Sequence, residues 1–414
     1  MGGIERATIE QMDAGDELAP FRDLFHLPDG LIYLDGNSLG PAPKAAFAEI
    51  EKAAQEEWAE DLITSWNKAG WFMLTDTLGA KVATLIGAEA DEVVVCDTTS
   101  INIYKALQAA LSLRPGRKAI VSEGGSFPTD LYVLDGVQSL DPEITVRLEG
   151  VDGANLEDLI SDDTAVVLAN QVDYRSGAVR DVAAVTARAH EAGALIVWDL
   201  CHSAGVMPVG LNGADADFAV GCTYKYLNGG PGAPAFLYCA KRHQAACRQP
   251  LSGWWGHRAP FAFDRTYDAD PGVRKFLCGT QPVLSLRGLK AGLELYEQVD
   301  IARVRAKSMA LTGLFIDLVD QRCGGHGLEV VSPRDAEARG SQVAIRHEDG
   351  FAIVQALIEA RVIGDFRAPD IMRFGFAPLY VRYLDVWNAV EKLAEILAEG
   401  TWQSDRFAAR SAVT

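Results

Sequence analysis

Between Glu92 and Cys239 the chain repeats one pattern, a short run rich in Val, Ile and Leu followed by a longer amphipathic segment. The apolar runs fall at 92–96, 118–122, 144–148, 164–169, 194–199, 217–221 and 234–239. Amphipathic stretches at 100–113, 129–139, 155–160 and 181–192 lie between most of them. Buried strands separated by crossover helices make a mainly parallel sheet with helices on both faces. The pattern therefore predicts an α/β fold with seven strands. The runs at 217–221 and 234–239 lie close together with a turn between them, which predicts one antiparallel strand.

Residues 241–282 break this rhythm with aromatics, prolines and glycines, as in Gly253-Trp254-Trp255-Gly256-His257, and read as an ordered functional loop region. A long helical pattern runs from Val283 to about Val319. Two strand–helix units follow, with strands at 328–332, 342–347 and 371–376 and helices at 350–360 and 385–399. The expected organisation is an N-terminal arm (1–35) packing on a smaller α+β domain (283–414), with a large domain at 36–282.

In parallel α/β folds ligands bind outside the carboxyl ends of the strands. Asp199 ends the run Leu195-Ile196-Val197-Trp198-Asp199, and Lys225 follows 217–221 in Cys222-Thr223-Tyr224-Lys225, beside the glycine-rich turn Gly229-Gly230-Pro231-Gly232. A lysine so placed can form a Schiff base with an aldehyde cofactor, and an acidic residue ending an earlier strand can hold a pyridine nitrogen protonated. Together they describe pyridoxal phosphate. Thr98-Thr99-Ser100 opens the first crossover helix, where unpaired N–H groups and hydroxyls make a phosphate seat or a plain N-cap. Phe127, in Phe127-Pro128-Thr129-Asp130, can stack on a flat ring with Asp130 near its nitrogen, or act as a hydrophobic staple. His202 can orient Asp199 or contact the ring oxygen. Arg373, embedded in an apolar strand, needs an anion for its fork of donors, either a substrate carboxylate or an internal partner.

Composition removes other classes. A net charge of −19 argues against binding nucleic acid or an anionic membrane surface. The longest apolar stretches are too short to span a bilayer, and the first residues lack a signal-peptide core. Seven scattered cysteines, with no Cys-x-x-Cys and no zinc-like spacing, read as reduced thiols in a cytoplasmic protein without a metal site.

The combined motifs resemble the kynureninase family, within the fold-type-I pyridoxal-phosphate enzymes related to class V aminotransferases. The resemblance covers nearly the whole chain. It rests on Tyr33-Leu34-Asp35-Gly36-Asn37-Ser38-Leu39-Gly40-Pro41, Thr99-Ser100-Ile101-Asn102, Phe127-Pro128-Thr129-Asp130 and Asp199-Leu200-Cys201-His202-Ser203-Ala204-Gly205. Thr223-Tyr224-Lys225-Tyr226-Leu227-Asn228-Gly229-Gly230 and Gly253-Trp254-Trp255-Gly256-His257 complete it.

The resemblance implies hydrolysis of L-kynurenine to anthranilate and L-alanine in tryptophan catabolism. It implies that Lys225 carries the cofactor and shuttles the α-proton, that Asp199 pairs with the pyridine nitrogen, and that Phe127 stacks on the ring. Thr99, Ser100 and Tyr224 would hold the phosphate, and Tyr224 is also the candidate acid. Trp254 and Thr280 would reach the phosphate from the partner subunit of a homodimer with shared sites. Asp130, Asn170 and His202 match further cofactor contacts. Arg373 would clamp the substrate α-carboxylate, with Ser38, Trp66 and Thr280 also on the substrate. Animal members carry Asn where this chain has Thr280, which leaves the preference for 3-hydroxy-L-kynurenine open. A cysteine desulfurase would share Asp199 and Lys225 but needs a nucleophilic cysteine on a mobile loop, for which Cys323 is the loop-like candidate. A non-catalytic binding protein would not need the Lys225/Asp199 pair.

Overall fold

The computed structural model describes residues 3–407. Strand β1 (Ile32–Tyr33) precedes a seven-stranded sheet of β2 (Val93–Val95), β3 (Ala119–Glu123), β4 (Thr145–Glu149), β5 (Thr164–Asn170), β6 (Leu195–Asp199), β7 (Phe218–Gly221) and β8 (Phe236–Cys239). Its order is β2-β8-β7-β6-β5-β3-β4. Neighbours from β4 through β7 are parallel, and β8 is antiparallel to both β7 and β2. Every residue of β5, β6, β7 and β8 is buried, which is why these segments read as continuous apolar runs.

Two of the crossover helices start where a short polar side chain satisfies one of their first N–H groups. Thr98 caps the helix Thr99–Ser112, and Asp181 caps Val182–Glu191 by accepting from Ala184 N at 3.0 Å. The chain order turns back between β3 and β5, since β4 lies outside β3 while β5 to β8 extend the other way. Such a reversal opens a crevice at the strand ends.

A second sheet, ordered β12-β13-β10-β9, contains β9 (Glu329–Val330), β10 (Gln342–Arg346), β12 (Asp365–Arg367) and β13 (Ile371–Gly375). Strand β11 (Val362–Ile363) pairs in parallel with β1. The helix Arg6–Ala14 packs on the helix Tyr383–Glu399, whose Tyr383 and Leu384 N–H groups donate to the Asp13 carboxylate at 2.8 and 3.0 Å. The helical pattern expected to run unbroken to Val319 is two helices, Val283–Tyr296 and Ile301–Arg322. Asp300 causes the break, because its side chain accepts from Ala302 N at 2.9 Å and starts a new helix. The expected strand at 328–332 shrinks to two residues.

Candidate active site

The carboxyl ends of β5, β6 and β7 open on a cavity of about 350 Å³. Asp199, the last residue of β6, stands in register with Asn170 on β5 and Val220 on β7. It is 4% exposed, and one carboxylate oxygen accepts from Cys201 N at 2.7 Å. Burial pushes its carboxyl well above the usual range. Asp130 is buried nearby, and burial followed by the charge of Asp199 pushes it up to about 8. It is held by Ser126 Oγ at 2.7 Å and Asn170 Nδ2 at 3.3 Å. Two buried carboxyls that feel each other cannot both ionise cheaply unless a cation joins them.

Lys225 lies in the turn after β7, and its Nζ is 2.8 Å from His202 Nε2. The tautomer of His202 follows from its other neighbour. Gln342 Nε2 donates to the carbonyl of Tyr174 at 2.8 Å, so Gln342 Oε1 faces His202 Nδ1, 3.0 Å away. Nδ1 therefore carries the proton, and Nε2 presents its lone pair to Lys225. Burial and the neighbouring charge of Lys225 hold the imidazole well below its ordinary pKa, so it is neutral.

At the N-terminus of the 14-residue helix Thr99–Ser112, Thr98, Thr99 and Ser100 line the cavity. The preceding Asp97 adopts a left-handed φ of 49°. It is tied to the fully buried Lys105, which also donates to the carbonyl of Phe276.

The opposite wall comes from the second sheet. Arg373 on β13 faces Asp365 on β12 in the ladder. Its Nε donates to Asp365 Oδ1 at 2.7 Å, and its Nη2 donates to Asp365 Oδ2 and to Ser38 Oγ. Its Nη1 donates to the carbonyl of Tyr174. Ser38 Oγ donates in turn to Asp365 Oδ2 at 2.6 Å. Beside them Asp35 Oδ1 is buried with no hydrogen-bond partner among the described residues, and burial, then Asp365, pushes its carboxyl up to about 8.

The cavity thus gathers Ser38, Thr99, Ser100, Phe127, Asp130, Asn170, Asp199, His202, Tyr224, Lys225 and Arg373, all singled out in the sequence. It does not include Trp66, Trp254 or Thr280. Trp66 packs on Trp71 and Trp255, with ring centroids 5.7 and 5.2 Å apart, while Trp254 and Thr280 are exposed. Asn37, Tyr174, Cys201 and Arg367 also line it and were not foreseen. Arg367 shares a face with Asp365 on β12, but a three-residue strand is too short for that alternation to show in the sequence.

The donor set fits pyridoxal phosphate. A helix N-terminus with hydroxyls suits its phosphate, a buried carboxyl lacking a cation suits its ring nitrogen, and a lysine suits its aldehyde. The half-open ring of Phe127, 43% exposed, can cover the flat face.

Likeness to solved structures agrees. A cysteine desulfurase from Thermococcus onnurineus NA1 superposes with a TM-score of 0.78 at 19% identity, over 92% of this chain and 98% of that one. The C-DES protein with glycine covalently linked to its PLP cofactor superposes with a TM-score of 0.77 at 15% identity, over 90% and 99%. The chain has the fold-type-I architecture of the pyridoxal-phosphate-dependent transferases.

Within that class the sequence relatives are much nearer. A kynureninase of Burkholderia mallei (strain SAVP1) is 52% identical over 408 residues, 97% of this chain and 98% of that protein. A kynureninase of Pseudomonas fluorescens is 51% identical over 409 residues, again 97% and 98%. The model of the kynureninase C-terminal domain matches residues 304–393. The chain belongs to the kynureninase family.

Proposed function

We propose that the protein binds pyridoxal phosphate on Lys225 and hydrolyses the Cβ–Cγ bond of L-kynurenine, releasing anthranilate and L-alanine. The observation that carries the reading is 52% identity to a kynureninase across 97% of the chain. Lys225, Asp199 and Arg373 line a single cavity, as that chemistry needs.

Bound there, the cofactor supplies an aldehyde for the substrate amine and a ring that withdraws electron density from Cα. Asp199 and Asp130 would hold the ring end, where a protonated ring nitrogen would favour the ionised form of Asp199. Thr99, Ser100 and the helix N-terminus hold the phosphate. Lys225 Nζ takes the proton from Cα, and the neutral His202 accepts a hydrogen bond from it at Nε2. Water adds to the γ-carbonyl carbon, the Cβ–Cγ bond breaks, and its electron pair stays on Cβ. That carbon needs a proton, and Tyr224 lines the cavity with its hydroxyl kept protonated by burial. Arg373, Arg367 and Ser38 form the anionic-substituent end.

Trp254 and Thr280 enter this reading through a second subunit, and Trp66 as an aromatic for the aniline ring. The exposed Trp254, Phe261 and Phe263 support a homodimer in which Trp254 and Thr280 complete the neighbouring site, and in which Trp66 and Thr280 read the aniline ring. No helix among the described residues is long and apolar enough to cross a membrane. The scattered free thiols support a cytoplasmic location. The loop cysteine that the desulfurase alternative offered, Cys323, is 2% exposed and lies outside the cavity.

Mixing the purified, cofactor-loaded protein with L-kynurenine and following anthranilate fluorescence tests the reading. Absence of anthranilate would overturn it.

A further inference from the structure

The arginine expected to meet the substrate carboxylate is almost fully committed inside the protein. Arg373 spends its Nε and Nη2 protons on Asp365 and Ser38, and one Nη1 proton on the carbonyl of Tyr174. Four of the five N–H groups of a guanidinium are thus engaged. Its side chain is only 2% exposed. One free N–H cannot make the two parallel bonds that a carboxylate prefers.

Arg367 stands beside it under different constraints. It lies two residues along β12 from Asp365, and its Nη2 is 2.8 Å from Asp365 Oδ2. It donates from Nη1 to the carbonyl of Phe366 at 3.0 Å and from Nη2 to Ser38 Oγ at 3.4 Å. Its Nε and second Nη1 proton have no partner among the described residues. Its side chain is 32% exposed and lines the same cavity. Two guanidiniums share one carboxylate here, so the cluster keeps a positive charge at the cavity wall. A half-exposed cation with free donors at a cavity wall is suited to an anionic ligand.

We infer that Arg367 is a second substrate-carboxylate residue, taking the α-carboxylate jointly with the last free N–H of Arg373 while Asp365 holds both guanidiniums in place. The inference rests on the proposed reading only in that the substrate is an α-amino acid. It also makes Arg367 the cleaner position to test, because removing Arg373 would take from the buried carboxylate of Asp365 its buried cation and leave it only the partly exposed Arg367 and Ser38.

The test compares wild-type holoenzyme with Arg367→Gln and Arg367→Lys. For Arg367→Gln, KM for L-kynurenine should rise at least tenfold, with kcat falling less than KM rises and the cofactor absorbance retained. Arg367→Lys should recover part of the loss. The Ki of 2-aminoacetophenone, an aryl ketone without a carboxylate, should stay within about twofold across the series. Titration with L-alanine, followed by cofactor absorbance, should show the same weakening as KM. That titration reads the carboxylate contact even if wild type does not cleave L-kynurenine, which would count against the proposed function alone. Unchanged L-alanine affinity in Arg367→Gln, or an equal loss for the carboxylate-free ketone, would overturn the inference.

Discussion

Gly40 lies directly against the carbonyl of Lys225. A Cβ at position 40 would stand 2.3 Å from Lys225 O and 2.3 Å from Asn228 Oδ1. Gly40 N also donates to the carbonyl of Tyr224 at 2.8 Å, so the backbone of residues 36–40 buttresses the turn that carries the lysine. Gly40→Ala should therefore displace Lys225, at an overpacking cost of about 1–3 kcal/mol. Thermal unfolding should show the loss of stability, and cofactor titration a weakened affinity. A variant with wild-type cofactor affinity would separate this segment from the site.

In the proposed reading Asp199 is the residue that would pair with the cofactor's ring nitrogen. Without a cation, burial favours its neutral form. Asp199→Ala should leave the fold intact, since the hydrogen bonds of the side chain go to the neighbouring Cys201, at its N–H and its thiol. It should lower kcat by several powers of ten, about 4 kcal/mol or more of transition-state stabilisation. Single-turnover kinetics on cofactor-saturated variant checks this, and near-wild-type kcat would remove Asp199 from the role.

Asp35 gives the stability a readable pH dependence. Its folded pKa of about 8 lies above the ordinary 3.8, so between those values the folded chain keeps a proton that the unfolded chain has lost. Stability from this group therefore falls as pH rises across that window. Asp35→Asn should be more stable than wild type at pH 8, and the gap should close as pH falls towards 4. Melting temperatures at pH 4.5, 6 and 8 decide it. A gap that does not change with pH would show that Asp35 is not the titrating group.

The aromatic surface of residues 254–263 should be an intersubunit surface. Phe261 is 60% and Phe263 76% exposed, an unusual display of large apolar rings. Changing both to Ser should shift the protein towards monomer in sedimentation and lower activity in parallel. A fully active wild-type monomer at assay concentration would contradict the shared-site reading.

The central sheet was legible because its strands, apart from the edge strand β4, are buried on both faces, so hydrophobic runs mark them. The antiparallel β8 was legible from its closeness to β7. The two- and three-residue strands β1, β11 and β12 were not, because a period needs more residues than they have. Lys225 and Asp199 could be read as a pair, since strand-end position alone carries their chemistry. For Arg373 the sequence left two readings open, substrate anion or internal partner. The structure supplies Asp365 as an internal partner eight residues away, a pairing fixed only when β12 and β13 lie side by side. Trp254 and Thr280 were placed by resemblance and Trp66 as an available large ring for the aryl end, and no local pattern could say which subunit's cavity they serve.

Ser38 meets Asp365 across 327 residues of sequence. Leu34 likewise accepts from Gly375 N at 2.7 Å. The chain is made from its N-terminus, so residues 32–40 leave the ribosome long before anything exists to receive them. All seven central strands can be synthesised, with Asp199 ending β6 and Lys225 in the turn after β7, while the wall holding Arg373 is still untranslated. A message cut short before β13 would thus yield a protein with its cofactor residues present and its substrate end missing. Loss of the last strand of the small sheet would remove the Gly375 and Arg373 contacts to residues 34–38, and with them the anchor of the segment that buttresses the lysine turn.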